Sequence, residues 1–215
     1  MTALGVMARA PVAGACKTRL AQAIGEREAT ELYRAMLVDS LALFGGVGAS
    51  RCVIMAAPED DGVRLLGELA PRAWSVIVQE GDGLGARLAH AFRVLGASGE
   101  PVVLVDSDSP TVDQGAITRG IARLEGPRRA LMGPCEDGGY YLIGLTSLEL
   151  RILEGIAWST CEVAAQTRAR CAELGLALEE LPLGYDVDTA EDVARLRAEL
   201  ARHPERALAT AARLR

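Results

Sequence analysis

The chain has 215 residues, half of them hydrophobic, with 23 Lys and Arg against 29 Asp and Glu and a formal net charge of −6. That length suits one α/β domain with a substantial buried core, and that sign of charge excludes the basic stripe by which proteins hold a nucleic-acid backbone. No apolar run approaches the roughly 18 residues of a membrane span, and no basic-then-apolar leader opens the chain, so a cytoplasmic protein with neither nucleic-acid nor membrane partners is expected. In chain order, short apolar runs predict strands over Ala3–Ala8, Arg51–Ala57, Trp74–Gln79, Val102–Asp106, Ala130–Gly133, Tyr140–Leu145 and Ala177–Leu181. Between them, Leu32, Met36, Leu37, Leu41 and Phe44, and then Leu84, Leu88, Phe92 and Leu95, recur at helical spacing and are read as core. Ser159-Thr160-Cys161-Glu162 has the spacing of a helix capping box, and Asp188-Thr189-Ala190-Glu191-Asp192 precedes a further helical stripe of Val193, Leu196 and Leu200. The alternation predicts a mostly parallel mixed sheet of about seven strands with helices on both faces, one Rossmann-like domain over residues 1–203. Pro204 to Arg215 is an Ala/Arg-rich stretch expected to form a loosely docked or frayed helical tail.

Five cysteines occur without a Cys-x-x-Cys pair, which supports neither a disulfide framework nor a zinc site and fits a reducing compartment. Histidine is limited to His90 and His203, which makes histidine-based triads improbable. Asparagine is absent, so a metal site must be built mainly from Asp, Glu, carbonyls and water.

Lys17 is the chain's sole lysine among 23 basic residues. It stands in the loop Ala10-Pro11-Val12-Ala13-Gly14-Ala15-Cys16-Lys17-Thr18-Arg19-Leu20, just after the first strand. A lysine is a compact point charge where arginine is a broad fork, and a crowded phosphate site can use the former. The strand Val102-Val103-Leu104-Val105 runs into Asp106-Ser107-Asp108-Ser109-Pro110, so two carboxylates leave the C-terminal edge of a parallel strand, where open α/β sheets bind ligands. Two acids that close together call for a hard cation, Mg²⁺ or Mn²⁺, unless both cap the next helix. Asp188 is placed to cap its helix or to complete that metal site. Asp137-Gly138-Gly139 is either a hairpin turn or a loop where the backbone approaches a ligand, with Asp137 turned to the same sheet edge.

Three familiar motifs fail. Gly81-Asp82-Gly83-Leu84-Gly85 lacks the spacing of the dinucleotide fingerprint. Lys17-Thr18 lacks the glycines of a P-loop, which would have to stand at Pro11 and Cys16. Asp106 would be the nucleophile of an aspartyl-phosphate hydrolase, but Pro110 stands where that signature has Thr or Val, and the strand is the fourth rather than the first.

Taken together, the lysine loop, Asp-Ser-Asp-Ser-Pro, Glu-Asp-Gly-Gly-Tyr-Tyr and Asp-Val-Asp-Thr resemble the nucleotide-diphospho-sugar transferase superfamily, of GT-A fold, over roughly residues 1–200. Within it the chain looks most like a bacterial glycosyltransferase-like branch associated with radical-SAM or arsenosugar genes. It is more distantly similar to phospholactate and molybdenum-cofactor guanylyltransferases. The resemblance implies a transferase dependent on Mg²⁺ or Mn²⁺, with a nucleotide or nucleotide-sugar donor and a small-molecule acceptor. It makes Asp108 and Asp188 the metal ligands, with Asp106 completing the Asp-x-Asp. Lys17 and Arg19 become the phosphate-holding and catalytic cations, while Gly14, Gly81, Gly83, Gly85, Arg87 and Asp106 become nucleotide contacts. Asp137, Gly138 and Gly139 form the acceptor loop, with Asp137 orienting or deprotonating the acceptor. Glycosyl transfer is the leading expectation; nucleotidyl transfer from an NTP to a phosphorylated acceptor is the alternative, and a phosphohydrolase or a non-catalytic nucleotide-binding module ranks below both.

Overall fold

The computed structural model describes residues 1–58 and 61–215. Seven strands form one sheet: β1 (Ala3–Ala8), β2 (Arg51–Ala56), β3 (Ser75–Val78), β4 (Val102–Val105), β5 (Arg129–Pro134), β6 (Tyr140–Leu145) and β7 (Ala177–Glu180). Their order is β3-β2-β1-β4-β6-β5-β7, and β6 alone runs against its neighbours. The strand limits read from the sequence agree to within about a residue; the central strands β1, β4 and β6 are apolar on both faces, whereas the outer strands β3 and β7 are only partly buried. Among the described residues no helix is long and apolar enough to cross a membrane.

Alternating strand residues feed two cores. Leu4, Val6, Val103 and Val105 pack with Leu37, Leu41 and Phe44 of α2 (Glu26–Gly45) and with Ile117 and Ile121 of α5 (Gln114–Arg123). On the opposite face Ala3, Val102 and Leu104 meet Leu88, Phe92 and Leu95 of α4 (Leu84–Leu95) and Ala164 and Cys171 of α6 (Val163–Glu173). The α2 stripe is thus divided: Leu32 and Met36 turn to a third cluster with Val193, Leu196 and Leu200 of α7 (Ala190–Arg202). Leu84 departs from the core reading. As the first residue of α4 it stands beyond the sheet edge and is 44 % exposed.

Two helix starts differ from expectation. Ser159 has φ +65 and makes a turn, Thr160 Oγ1 donates to the Ala157 carbonyl, and α6 begins only after Glu162, which gives no side-chain cap. For α7 the capping box is Thr189 with Asp192, which leaves the Asp188 carboxylate outside the cap. The C-terminal segment is docked rather than frayed. Helix α8 (Leu208–Arg213) packs on α2, Thr210 and Ala211 are buried, and the Asp39 carboxylate accepts the backbone N–H groups of Ala209 (3.0 Å) and Thr210 (2.7 Å). Asp39→Ala removes that cap, and urea titration is expected to show a loss of about 1–2 kcal/mol, as for other caps; an unchanged midpoint would show that the cap contributes nothing to stability.

Because every strand but β6 points the same way, one sheet edge collects the loops after β1, β3, β4 and β7 and the β5–β6 turn. The lysine loop, the Gly81–Gly83 turn, Asp106–Pro110, Asp137–Gly139 and Asp188 sit on these loops.

Candidate active site

Strand β4 delivers Asp106 directly, since its backbone N–H still donates to the Tyr141 carbonyl at 2.9 Å. In the bend that follows, alternate side chains separate. Ser107 and Ser109 turn inward: Ser107 Oγ pairs with Tyr33 Oη at 3.0 Å, and Ser109 Oγ donates to Asp106 Oδ2 at 2.5 Å. Asp108 is left on the cavity wall, 25 % exposed. Val187 N–H donates to the Asp108 carbonyl at 3.3 Å, which ties the loop after β7 to the loop after β4 and brings Asp188 beside Asp108.

Lys17 lies between them. It takes a left-handed conformation, φ +48, as the residue preceding α1 (Thr18–Ile24), and its ammonium donates to Asp108 Oδ2 at 2.5 Å and Asp188 Oδ1 at 2.6 Å. Its side chain is 5 % exposed. Burial works against its charge, but the two carboxylates outweigh burial and push its pKa above the usual 10.5. Arg19 reaches the same cluster from outside, with Nη1 3.9 Å from Asp188 Oδ2. The ammonium expected at substrate phosphates is therefore engaged by two carboxylates in this structure.

A second acidic group lies beside the first. Cys135 pairs in parallel with Gly184, and Glu136 N–H donates to the Gly184 carbonyl at 3.1 Å, so the β5–β6 turn runs along the strand leading to Asp186. One ligand atom each from Cys135, Asp137 and Asp186 lies within 4.8 Å of the others. Burial, with Asp108, Asp188 and Asp137 nearby, raises Asp186 to about 6. Burial first, and then Asp106, Asp186, Asp137 and Asp108, also hold the Cys135 thiol well above its usual range, which keeps it protonated. Burial and Asp108 likewise raise the pKa of Asp106, whose Oδ1 is buried without a hydrogen-bond partner. The donors suit a hard divalent cation: carboxylate oxygens converge, two of them already close on a cationic group, and a buried Asp106 oxygen stands unpaired beside them. Asp186 and Cys135 are additions of the tertiary structure to the residues the sequence motifs point to. Asp186 has the i, i+2 spacing to Asp188 that Asp106 has to Asp108, and that repeat was a readable sign.

Two cavities meet at these acids. The larger, about 750 Å³, is lined by Arg9, Lys17, Arg19 and Arg87, with Gln79, Gly83 and the loop Ala15–Thr18. The smaller, about 540 Å³, is lined by Asp137, Gly139, Cys135 and Asp186 together with Tyr140, Trp158 and Val163. Asp106, Asp108, Asp188, Arg19, Leu84 and Ser159 belong to both walls.

The glycines singled out from sequence do not all reach a wall. Gly14, at φ +78, faces Glu26, and the Gly81 carbonyl accepts from Arg87 Nε at 3.3 Å. Gly85 lies under Trp158. Gly138, at φ +87, is both hairpin turn and packing contact: its N–H donates to the Cys135 carbonyl, and a Cβ there would stand 2.0 Å from the Cys161 carbonyl oxygen. Asp137 Oδ1 accepts the Gly139 N–H at 2.8 Å, which orients the carboxylate at the cavity rim.

Comparison with solved structures places this architecture. A protein of Desulfovibrio desulfuricans G20, assigned by name to the nucleotide-diphospho-sugar transferases, superposes with a TM-score of 0.90 at 29 % identity over 99 % of this chain and 93 % of its own. Rv0371c of Mycobacterium tuberculosis H37Rv, solved in complex with manganese, shares the fold at 21 % identity and TM-score 0.57, covering 90 % of this chain and 96 % of that one. So does 4-diphosphocytidyl-2C-methyl-D-erythritol synthase of Anaerococcus prevotii DSM 20548, at 11 % identity and TM-score 0.62, covering 93 % and 96 %. The fold is that of the nucleotide-diphospho-sugar transferase superfamily, as the motifs implied. No curated protein matches the chain. Residues 42–160, more than half of the sequence, match the family described as "Uncharacterized protein conserved in bacteria (DUF2064)", and to that family the chain belongs.

Proposed function

We propose that the protein is a divalent-metal-dependent transferase acting on a nucleotide-activated donor, and that it moves a glycosyl group from an NDP-sugar to a hydroxyl of a small acceptor. The observation that carries this reading is the meeting of a cation-lined cavity and an acid-rich one at a shared set of aspartates. The larger cavity offers Arg9, Lys17, Arg19 and Arg87 to a diphosphate, and the loop over Gly83 and Arg87 to the nucleoside. The smaller cavity holds the acceptor, with Asp137 positioned to take its proton.

Asp108 and Asp188 would hold Mg²⁺ or Mn²⁺, with Asp106 and Asp186 beside them. When bound, such an ion supplies charge neutralisation for the diphosphate. The acceptor oxygen forms a bond to the anomeric carbon as the bond from that carbon to the diphosphate oxygen breaks. The electron pair leaves with the NDP, the Asp137 carboxylate takes the hydroxyl proton, and Arg19 with Lys17 faces the new charge.

A thermal-shift screen of NDP-sugars and NTPs, each with and without Mn²⁺, tests the proposal. A true donor at a hundred times its Kd adds about 2.7 kcal/mol through linkage, which is a rise of roughly 5–10 °C for a chain of this size. Stabilisation by NTPs alone points to nucleotidyl transfer. The absence of a shift with every nucleotide would sink the transferase reading.

A further inference from the structure

We infer that the smaller cavity selects an uncharged, polyhydroxylated ring as acceptor, seated on Trp158, and that Trp158 with Gly85 is a specificity-determining pair. This rests on the proposed transferase reading for the word acceptor; the ligand chemistry stands on the cavity itself.

Charge gives the first argument. Five carboxyl groups, Asp106, Asp108, Asp137, Asp186 and Asp188, line this cavity, and Arg19 is the only basic residue among the described residues of its wall. Against these five, Arg19, the Lys17 ammonium held by Asp108 and Asp188, and a single divalent cation supply four positive charges, so the cavity keeps no cation for an anionic acceptor. A phosphate or carboxylate on the acceptor would face Asp137 and Asp186 without a counter-charge of its own, and like charges brought together in a cleft are discriminated against. Acceptor hydroxyls, by contrast, are donors that carboxylates accept.

The rest of the lining gives the second. Leu84, Tyr140, Trp158 and Val163 line the same cavity as the acids. A ring with an apolar C–H face and a rim of hydroxyls matches such a mixed lining, in which apolar residues supply area and a few polar groups fix orientation.

Pre-organisation gives the third. Trp158 meets Tyr140 edge to face, with centroids 6.4 Å apart at 87°. Its indole lies so close over the start of α4 that a Cβ on Gly85 would stand 2.3 Å from Nε1. Ser159, the next residue, turns the chain at φ +65 and belongs to both cavity walls. The ring is thus held where the two cavities join, and glycine at 85 is what leaves room for it.

The test uses the full chain with Mg²⁺, probed by saturation-transfer NMR and by calorimetric titration with methyl glucoside, mannose, glucose 6-phosphate and glucuronate. The neutral sugars are expected to bind, and the two anionic ones to bind at least about tenfold more weakly. Trp158→Ala should weaken the neutral sugars about five- to tenfold, Trp158→Phe should restore most of the loss, and Gly85→Ala, which keeps the indole but displaces it, should behave like Trp158→Ala. UDP and GDP are titrated against the natural chain in parallel, so that a failure of nucleotide binding counts against the transferase reading, and far-UV circular dichroism with thermal unfolding certifies that each variant is folded. The inference is overturned by tighter binding of the anionic sugars, by neutral-sugar binding unaffected in Trp158→Ala and Gly85→Ala, or by no neutral sugar binding while a nucleotide does.

Discussion

Asp108→Asn is expected to reduce turnover by about 10³-fold or more while the fold survives, the scale of losing a preorganised group that stabilises developing charge. The structural reason is its position. Asp108 is the less exposed of the two carboxylates that close on Lys17, and it stands on the wall common to both cavities. Its removal weakens divalent-cation binding; the repulsion relieved with Asp106 and Asp186 is offset by the buried Lys17 ammonium losing one of its two carboxylates, so stability is expected to change little. Asp188→Asn should be milder, because the asparagine carbonyl oxygen still ligates and still accepts from Lys17. Activity of both variants titrated against Mg²⁺ and Mn²⁺ makes the comparison. Near-normal rates for Asp108→Asn at ordinary metal concentrations would falsify the metal assignment.

Lys17→Ala is expected to cost about 10²–10³ in rate. Arginine should rescue only in part, since a guanidinium is too broad for a position 2.5 and 2.6 Å from two carboxylates with almost no access to solvent. A triphosphate donor, whose leaving pyrophosphate carries more charge, should suffer more than an NDP-sugar. A second readout is independent of turnover: without the ammonium, Asp108 and Asp188 face each other uncompensated, so Mn²⁺ should raise the Tm of Lys17→Ala more than that of the natural chain. Full activity together with an unchanged Mn²⁺ response would make the solitary lysine an accident of composition.

Much of this molecule is legible in one dimension. The central strands are apolar runs, and parallel order then puts Asp106, Asp108, Asp137 and Asp188 at one sheet edge without any coordinates, because chain direction alone decides which end of a strand a following loop occupies. Local chemistry was less reliable. Ser159 looked like a cap and is a left-handed turn; Asp188 looked like a possible cap, and Thr189 does that work.

Contacts between distant segments were decided by the tertiary structure alone. Lys17 and Asp188 are 171 residues apart, and they meet because β1 lies beside β4 while Val187 is hydrogen-bonded to Asp108. Asp186 joins Asp137 and Cys135 because the chain after β7 continues along the end of β5. Trp158, unremarkable in a loop by sequence, becomes a cavity wall because Gly85 lacks a Cβ. Periodicity is a property of neighbouring residues and survives in a string of letters, whereas the partner of a charge or a ring is set by strand order and close approach, which exist only once the sheet has formed.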